Sequence, residues 1–158
     1  AATVFFTSQI LIIVACAGVF SWLLTVNQVP AAMVSWLKGA DVAAWQFLLA
    51  VNVLLLLVGC FLDPLSAILL LTPLLIPVVK ALGIDTVHFG IVVMVNLAIG
   101  LFHPPFGINI FVAQSVLGID LKTIYRGILP FVILYLIALV LITYIPAISL
   151  VGVWMLLN

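Results

Sequence analysis

Apolar residues run along this chain in blocks too long and too uniform for an alternating strand or a one-faced helix, and the polar residues collect between the blocks. Residues 4–26 are uncharged and long enough to cross a hydrocarbon core of about 30 Å at 1.5 Å per residue. Asn27 to Pro30 interrupts the helix, and Pro30 suits the first turn of a new one. Residues 30–40 then read as an interfacial arm, with Trp36 and Lys38 at the depth where Trp anchors and Lys snorkels.

The next block carries an unusual interruption. Residues 42–62 form a second uncharged run, Gly59, Asp63 and Pro64 mark its end, and a further apolar stretch with Pro73 and Pro77 reaches Lys80 after residues 64–79. That second arm is short for an independent span, so residues 42–82 are expected to form a re-entrant helical hairpin that dips into the membrane and returns, placing Lys38 and Lys80 on one side. Leu-Gly-Ile-Asp follows at 82–85 and again at 117–120. In both copies the glycine suits the left-handed position that ends a helix, and the aspartate suits the cap that starts the next. The repeat is therefore punctuation, not duplication. Between the copies, residues 86–116 carry no charge but are cut by His103-Pro104-Pro105-Phe106-Gly107, which cannot continue a regular helix. Residues 85–118 are thus expected to be a broken transmembrane helix, and residues 127–150 a last span, bent near Pro130 and closed by Pro146.

Composition makes a membrane the solvent of this chain. Of 158 residues, 68% are hydrophobic and 5% charged, and the mean hydropathy is +1.60, whereas soluble domains carry roughly 25% charged residues. All charges lie between Lys38 and Arg126, with four basic residues against four aspartates. That balance gives no footprint for nucleic acid and no polybasic run for lipid headgroups. It leaves orientation tied, because Lys38 and Lys80 fall on one side and Lys122 and Arg126 on the other. Cys16 and Cys60 sit in apolar runs where a disulfide is not expected. The start, AATVFF, enters the first span with neither Met nor a basic leader, so the chain is expected to be a fragment or one half of a larger permease.

Irregular backbone at membrane depth is tolerated only where protein, water or an ion satisfies its polar groups. Two places qualify, the hairpin tip from Gly59 to Pro64 and the HPPFG break. Discontinuous helices of this kind are where secondary transporters bind cations and anionic substrates. Asp63 has two readings, a helix cap alone or a cap that also takes part in the site, since an intramembrane acid is costly. Asn96, Gly100 and His103 follow His88 at helical spacing and share a face up to the break. Asn96 and Asn52 have a plainer role open to them, hydrogen bonding between helices, and His88 reads as an ordinary interfacial residue. Trp22, Trp36, Trp45 and Trp154 read as interface anchors. No metal-ligand or nucleophile motif is present: the two histidines lack HExxH spacing and no serine sits in a GxSxG elbow. An intramembrane enzyme is the weakest of the functional classes. A structural or assembly subunit of a larger membrane complex would need spans but no paired breaks.

The block GCFLDPLSAILLLTPLLIPVVKALGIDTVHFGIVVMVNLAIGLFHPPFGINIFVAQ, residues 59–114, resembles the C-terminal half of the large membrane subunit of the tripartite ATP-independent periplasmic (TRAP) transporters. FSWLL at 20–24 and the ending from Pro146 to Leu150 are similar as well, so the likeness covers nearly the whole chain. The resemblance implies an all-α integral membrane fold, a polytopic helical bundle forming one inverted repeat of an elevator-type transporter, with the other repeat in the N-terminal half of the same permease. It further implies a multi-pass protein of the bacterial inner membrane that uses Na+ to import organic acids such as dicarboxylates, sialic acid or similar sugar acids. The implied partners are a periplasmic substrate-binding protein, a small four-helix membrane subunit and membrane lipid. Carried onto these residues, Gly59 to Asp63 matches the second hairpin's tip, and Gly100, Pro104, Pro105 and Gly107 match the break that holds sodium through backbone oxygens. One departure stands at His103, where the family commonly has Thr, so that an imidazole replaces a hydroxyl.

Overall fold

The computed structural model of the chain describes residues 2–157, apart from the side chains at 2, 6, 153, 154, 156 and 157, so the expectation for Trp154 lies outside the described residues. The described residues form α-helices throughout: α1 Ala2–Val26, α2 Val29–Gly39, α3 Ala44–Gly59, α4 Pro64–Ala81, α5 Thr86–Gly100, α6 Ile108–Leu117, α7 Leu121–Tyr144 and α8 Pro146–Leu157. The chain is a polytopic helical bundle. By length and composition α1 from Thr3, α4 and α7 can each cross a membrane, while α3, α5 and α6 are apolar but shorter.

Helix ends follow the local chemistry of the sequence. Gly83 and Gly118 take left-handed φ values of 70° and 65°. The Asp85 carboxylate accepts from the backbone N–H of Val87 and His88, and that of Asp120 from Lys122, so both copies of Leu-Gly-Ile-Asp stop one helix and cap another. Pro30 lies in the first turn of α2. Among the described residues Gln28 and Asp41 are the non-glycine positions with positive φ, and they flank α2 on either side.

The arm after the hairpin tip keeps within the expected bounds of 42–82: α4 runs eighteen residues to Ala81, straight through Pro73 and Pro77, and at that length it is not short for a span. Each proline removes one i→i−4 hydrogen bond, a loss that neighbouring helices absorb in membrane bundles. The last long helix begins at Leu121, not 127, because Asp120 caps it, and it ends at Tyr144. Pro130 lies within it, and Ile145, with φ −119° and ψ 83°, separates it from α8. Residues 146–150 therefore belong to a separate helix that packs against α5 and α7.

The core sits among α2, α3, α4 and α5, where Leu37, Phe47, Val51, Leu55, Leu75, Val78, Phe89 and Leu97 interlock. Helix α3 packs mainly on α5, α4 on α1 and α2, and α5 also on α7. A shallow cavity lined by Lys38, Pro77 and Ala81 shows the end of α4 beside the end of α2. A second, lined by Ala44, Asp85, His88 and Tyr144, gathers the start of α3, the start of α5 and the end of α7. The α3–α4 pair is thus a hairpin whose open end lies with Lys38 and the start of α5. Its tip lies about 24 Å away along the sixteen residues of α3, level with the end of α5 at about 22 Å.

Candidate functional site

The two interruptions in the apolar pattern meet in space. Gly59 ends α3, and the chain turns through Cys60, Phe61 and Leu62, whose amides bond back to Leu57 and Val58 at 3.3, 3.0 and 2.8 Å. Asp63 then opens α4, its Oδ2 accepting the Ser66 N–H at 2.9 Å. Opposite this tip lies Gly100, the last residue of α5. A Cβ placed on Gly100 would stand 2.6 Å from the Gly59 carbonyl carbon and 2.7 Å from its Cα and O. Real side chains do not approach backbone so closely, so at this point the tip and the break touch main chain to main chain, and glycine is required.

Beyond Gly100 the helix cannot continue, for a reason the sequence states directly. Pro104 and Pro105 are the residues whose amides would have bonded the carbonyls of Gly100 and Leu101, and proline has no N–H. The Leu101 carbonyl receives the Asn109 N–H instead, at 3.0 Å. The His103 carbonyl receives Gly107 N–H at 3.1 Å, and the Pro105 carbonyl receives the Tyr125 hydroxyl from α7 at 2.9 Å. The Pro104–Pro105 peptide is cis. Gly107 is buried with its Cα against the backbone, since an added Cβ would lie 2.7 Å from the Leu101 carbonyl oxygen. Side chains join the two segments as well: the rings of Phe61 and Phe106 lie 5.2 Å apart, and the Cys60 Sγ lies 3.5 Å from His103 Nδ1.

A buried polar chain runs along α5 toward this contact. Asn96, fully buried one turn before Gly100, donates through Nδ2 to Asn52 Oδ1 on α3 at 2.7 Å and to the Val92 carbonyl at 2.8 Å. Asn52 in turn donates to Thr143 Oγ1 on α7 at 3.0 Å. Farther along, His88 Nε2 lies 3.2 Å from the Thr143 carbonyl and Nδ1 lies 2.9 Å from Ser149 Oγ on α8. A carbonyl can only accept, so Nε2 carries a proton toward Thr143, and the Ser149 hydroxyl, which can donate or accept, pairs with Nδ1. Among the described residues, Asn96 Oδ1 is the one buried side-chain oxygen or nitrogen with no hydrogen-bond partner. Asn52→Leu cuts the link between α3 and α7, while Asn96 keeps Val92 and Thr143 can bond within its own helix. With two interhelical bonds lost at roughly 0.6 kcal/mol each, the expected cost is about 1 kcal/mol, read as a lowered thermal midpoint of the purified permease.

The candidate residues divide accordingly. Gly59, Gly100, His103, Pro104, Pro105 and Gly107 come together at the tip and break, and Asn96 sits one turn away on the buried face of α5. Asp63 is exposed and caps α4, so the structure displays its capping role. The interfacial reading of His88 is corrected: it is 2% exposed and bonded on both ring nitrogens, because α8 folds back over the start of α5. Trp22, Trp36 and Trp45 are exposed, as anchors are. Sequence reasoning missed Cys60, Tyr125, Thr143 and Ser149 as partners. Cys60 adjoins Gly59 and was legible as part of the tip; nothing local points Tyr125 at a carbonyl twenty residues back.

Residues 1–148 match the family model described as the tripartite ATP-independent periplasmic transporter, DctM component. The chain belongs to this family. It is 42% identical over 144 residues to the C4-dicarboxylate TRAP transporter large permease protein DctM of Pseudomonas aeruginosa, an alignment covering 91% of this chain and 34% of that protein. It is 39% identical over 142 residues to the isethionate TRAP transporter permease protein DctMQ of Oleidesulfovibrio alaskensis, covering 90% and 22%. With the sialic acid TRAP transporter large permease protein SiaM of Vibrio cholerae it shares 36% identity over 148 residues, covering 94% and 35%. The chain thus spans about a third of the length of most of these relatives, and about a fifth of the isethionate permease. As DctM-family sequence it is a transporter component and not an enzyme, and it resides in the bacterial inner membrane.

Proposed function

We propose that this chain is the part of a TRAP permease that carries a sodium-binding gate, and that the complete protein uses a sodium gradient to drive import of acidic organic molecules. The observation that carries the reading is the main-chain contact between Gly59 and Gly100, which brings the two interruptions of the apolar pattern together at one point. Sodium is a hard cation that prefers oxygen ligands. At the break, Pro104 leaves the Gly100 carbonyl without its helical donor, and the end of α5 directs its remaining carbonyls the same way. Such oxygens suit a small cation. Asn96 Oδ1, unpartnered and one turn away, is a further oxygen on the same face.

Named substrates of the relatives are a C4-dicarboxylate, isethionate and sialic acid. All are organic anions, so the class proposed here is an organic acid of small to sugar-acid size, delivered by a periplasmic binding protein. The remaining repeat in the N-terminal half and a small four-helix subunit would complete the machine, and alternation between sides by an elevator movement is part of this proposal. The α3–α4 hairpin would be re-entrant, with its open end and Lys38 on one face.

The test is uptake by the complete permease and its partners in proteoliposomes, with the binding protein loaded with candidate dicarboxylates, sulfonates and sialic acid. Uptake is expected to require an inward sodium gradient and to vanish when potassium replaces sodium. Equal uptake in potassium overturns the sodium reading. Uptake of neutral sugars in preference to acids overturns the substrate class.

A further inference from the structure

At the same contact lies a pair of side chains that sodium does not need. Cys60 is 5% exposed at the end of α3, and its sulfur lies 3.5 Å from His103 Nδ1 in the break, with the carbonyl oxygens of His103 and Pro104 at 3.8 and 4.0 Å. The two ligands come from separate elements, and the Gly59–Gly100 contact one residue from Cys60 brings their main chains together. A tetrahedral cation with bonds of about 2.3 Å to sulfur and about 2.0–2.1 Å to nitrogen sets its sulfur and nitrogen about 3.6 Å apart. The observed distance is nearly that edge.

We propose that Cys60 and His103 bind a thiophilic divalent cation of the Zn2+ or Cd2+ class and that the bound ion staples the hairpin tip to the break. Binding replaces the thiol proton, which leaves to bulk buffer, with a metal–sulfur bond, while the imidazole, in the tautomer that keeps its proton on Nε2, supplies Nδ1 as the second ligand. Among the described residues no group of three or more His, Cys, Asp or Glu is placed to hold a metal. Carbonyl oxygen or water therefore completes the shell, and the site is open and chelator-reversible, unlike a four-ligand structural zinc site. Thiolate and imidazole favour such ions over sodium or magnesium. Metal binding stands on this geometry alone; the block of transport expected from it rests on the gate reading above.

The experiment uses the complete permease with every cysteine except Cys60 changed to serine, Cys16→Ser included, titrated with Co2+ in detergent. A sulfur-to-cobalt charge-transfer band should appear and be displaced by one equivalent of Zn2+. Cys60→Ser should abolish the band, and His103→Ala should weaken Co2+ binding at least tenfold. Cys60→His, which retains two ligands, should lose the charge-transfer band but keep the visible cobalt bands, a check on folding at the site. No band in the Cys60-only permease at millimolar Co2+, or unchanged affinity in His103→Ala, overturns the site. In proteoliposomes Zn2+ should inhibit sodium-driven uptake at least tenfold, and a chelator should restore it. If cobalt binds as described but Zn2+ leaves uptake untouched, the metal site stands and this contact is not the moving gate.

Discussion

Gly100→Ala in the complete permease is expected to lower the proposed sodium-driven uptake at least tenfold, while Gly90→Ala, ten residues earlier on the same helix, leaves it unchanged. The difference lies in what the new methyl group meets. At position 90 nothing lies within 4 Å of an added Cβ, whereas at position 100 three backbone atoms of Gly59 lie within 2.7 Å. A flexible side chain could swing away from such an intrusion; a peptide unit at the end of α3 cannot without moving the hairpin. Gly59→Ala is the graded case, because its Cβ would stand 3.3 Å from Gly100 Cα and 3.5 Å from Leu97 Cδ2, a gap that a few tenths of an ångström relieves. The expected order of damage is Gly100, then Gly59, then Gly90. Uptake rates, normalised to correctly assembled protein by gel filtration, provide the measurement. Native activity in Gly100→Ala would mean the tip and break need not touch, and the gate assignment fails.

The features legible in the sequence were those written in local chemistry. Proline pairs without N–H groups, glycines before a change of direction and aspartates ahead of apolar runs each act within four residues of themselves, so the caps at Asp63, Asp85 and Asp120 and the break at 103–107 could be read directly. Helix existence was equally plain, because an apolar run in a membrane has no other way to satisfy its backbone. What failed to show was partnership across long separations. The Asn52–Thr143 bond joins residues 91 apart, and His88 meets Ser149 at a separation of 61. Nothing near His88 in sequence says that α8 will cover it. The prolines of α4 show the same limit: their local effect is to weaken a helix, and packing of α4 on α1, α2 and the core overrides it.

Changing both prolines of the break, Pro104→Ala with Pro105→Ala, should raise the sodium concentration for half-maximal uptake by tenfold or more while leaving the binding protein's affinity for substrate unaltered. Each alanine restores an amide N–H at a position where a continuing helix directs it at the carbonyl four residues back, and those carbonyls belong to Gly100 and Leu101. The Leu101 oxygen already receives Asn109 N–H at 3.0 Å, so its share in any ion site is small and the main change falls on Gly100. Once that oxygen accepts a backbone hydrogen bond, its availability to a cation drops, and α5 gains the means to lengthen by a turn into the space of the break. Pro105→Ala alone restores the donor toward Leu101 only, and a smaller rise is expected. The single Pro104→Ala change should therefore account for most of the double variant's effect. Sodium titrations of uptake by the four proteins, at fixed membrane potential, separate these cases. If Pro105→Ala matches the double variant while Pro104→Ala behaves as the parent, the ion is held by the Leu101 side of the break and not by Gly100.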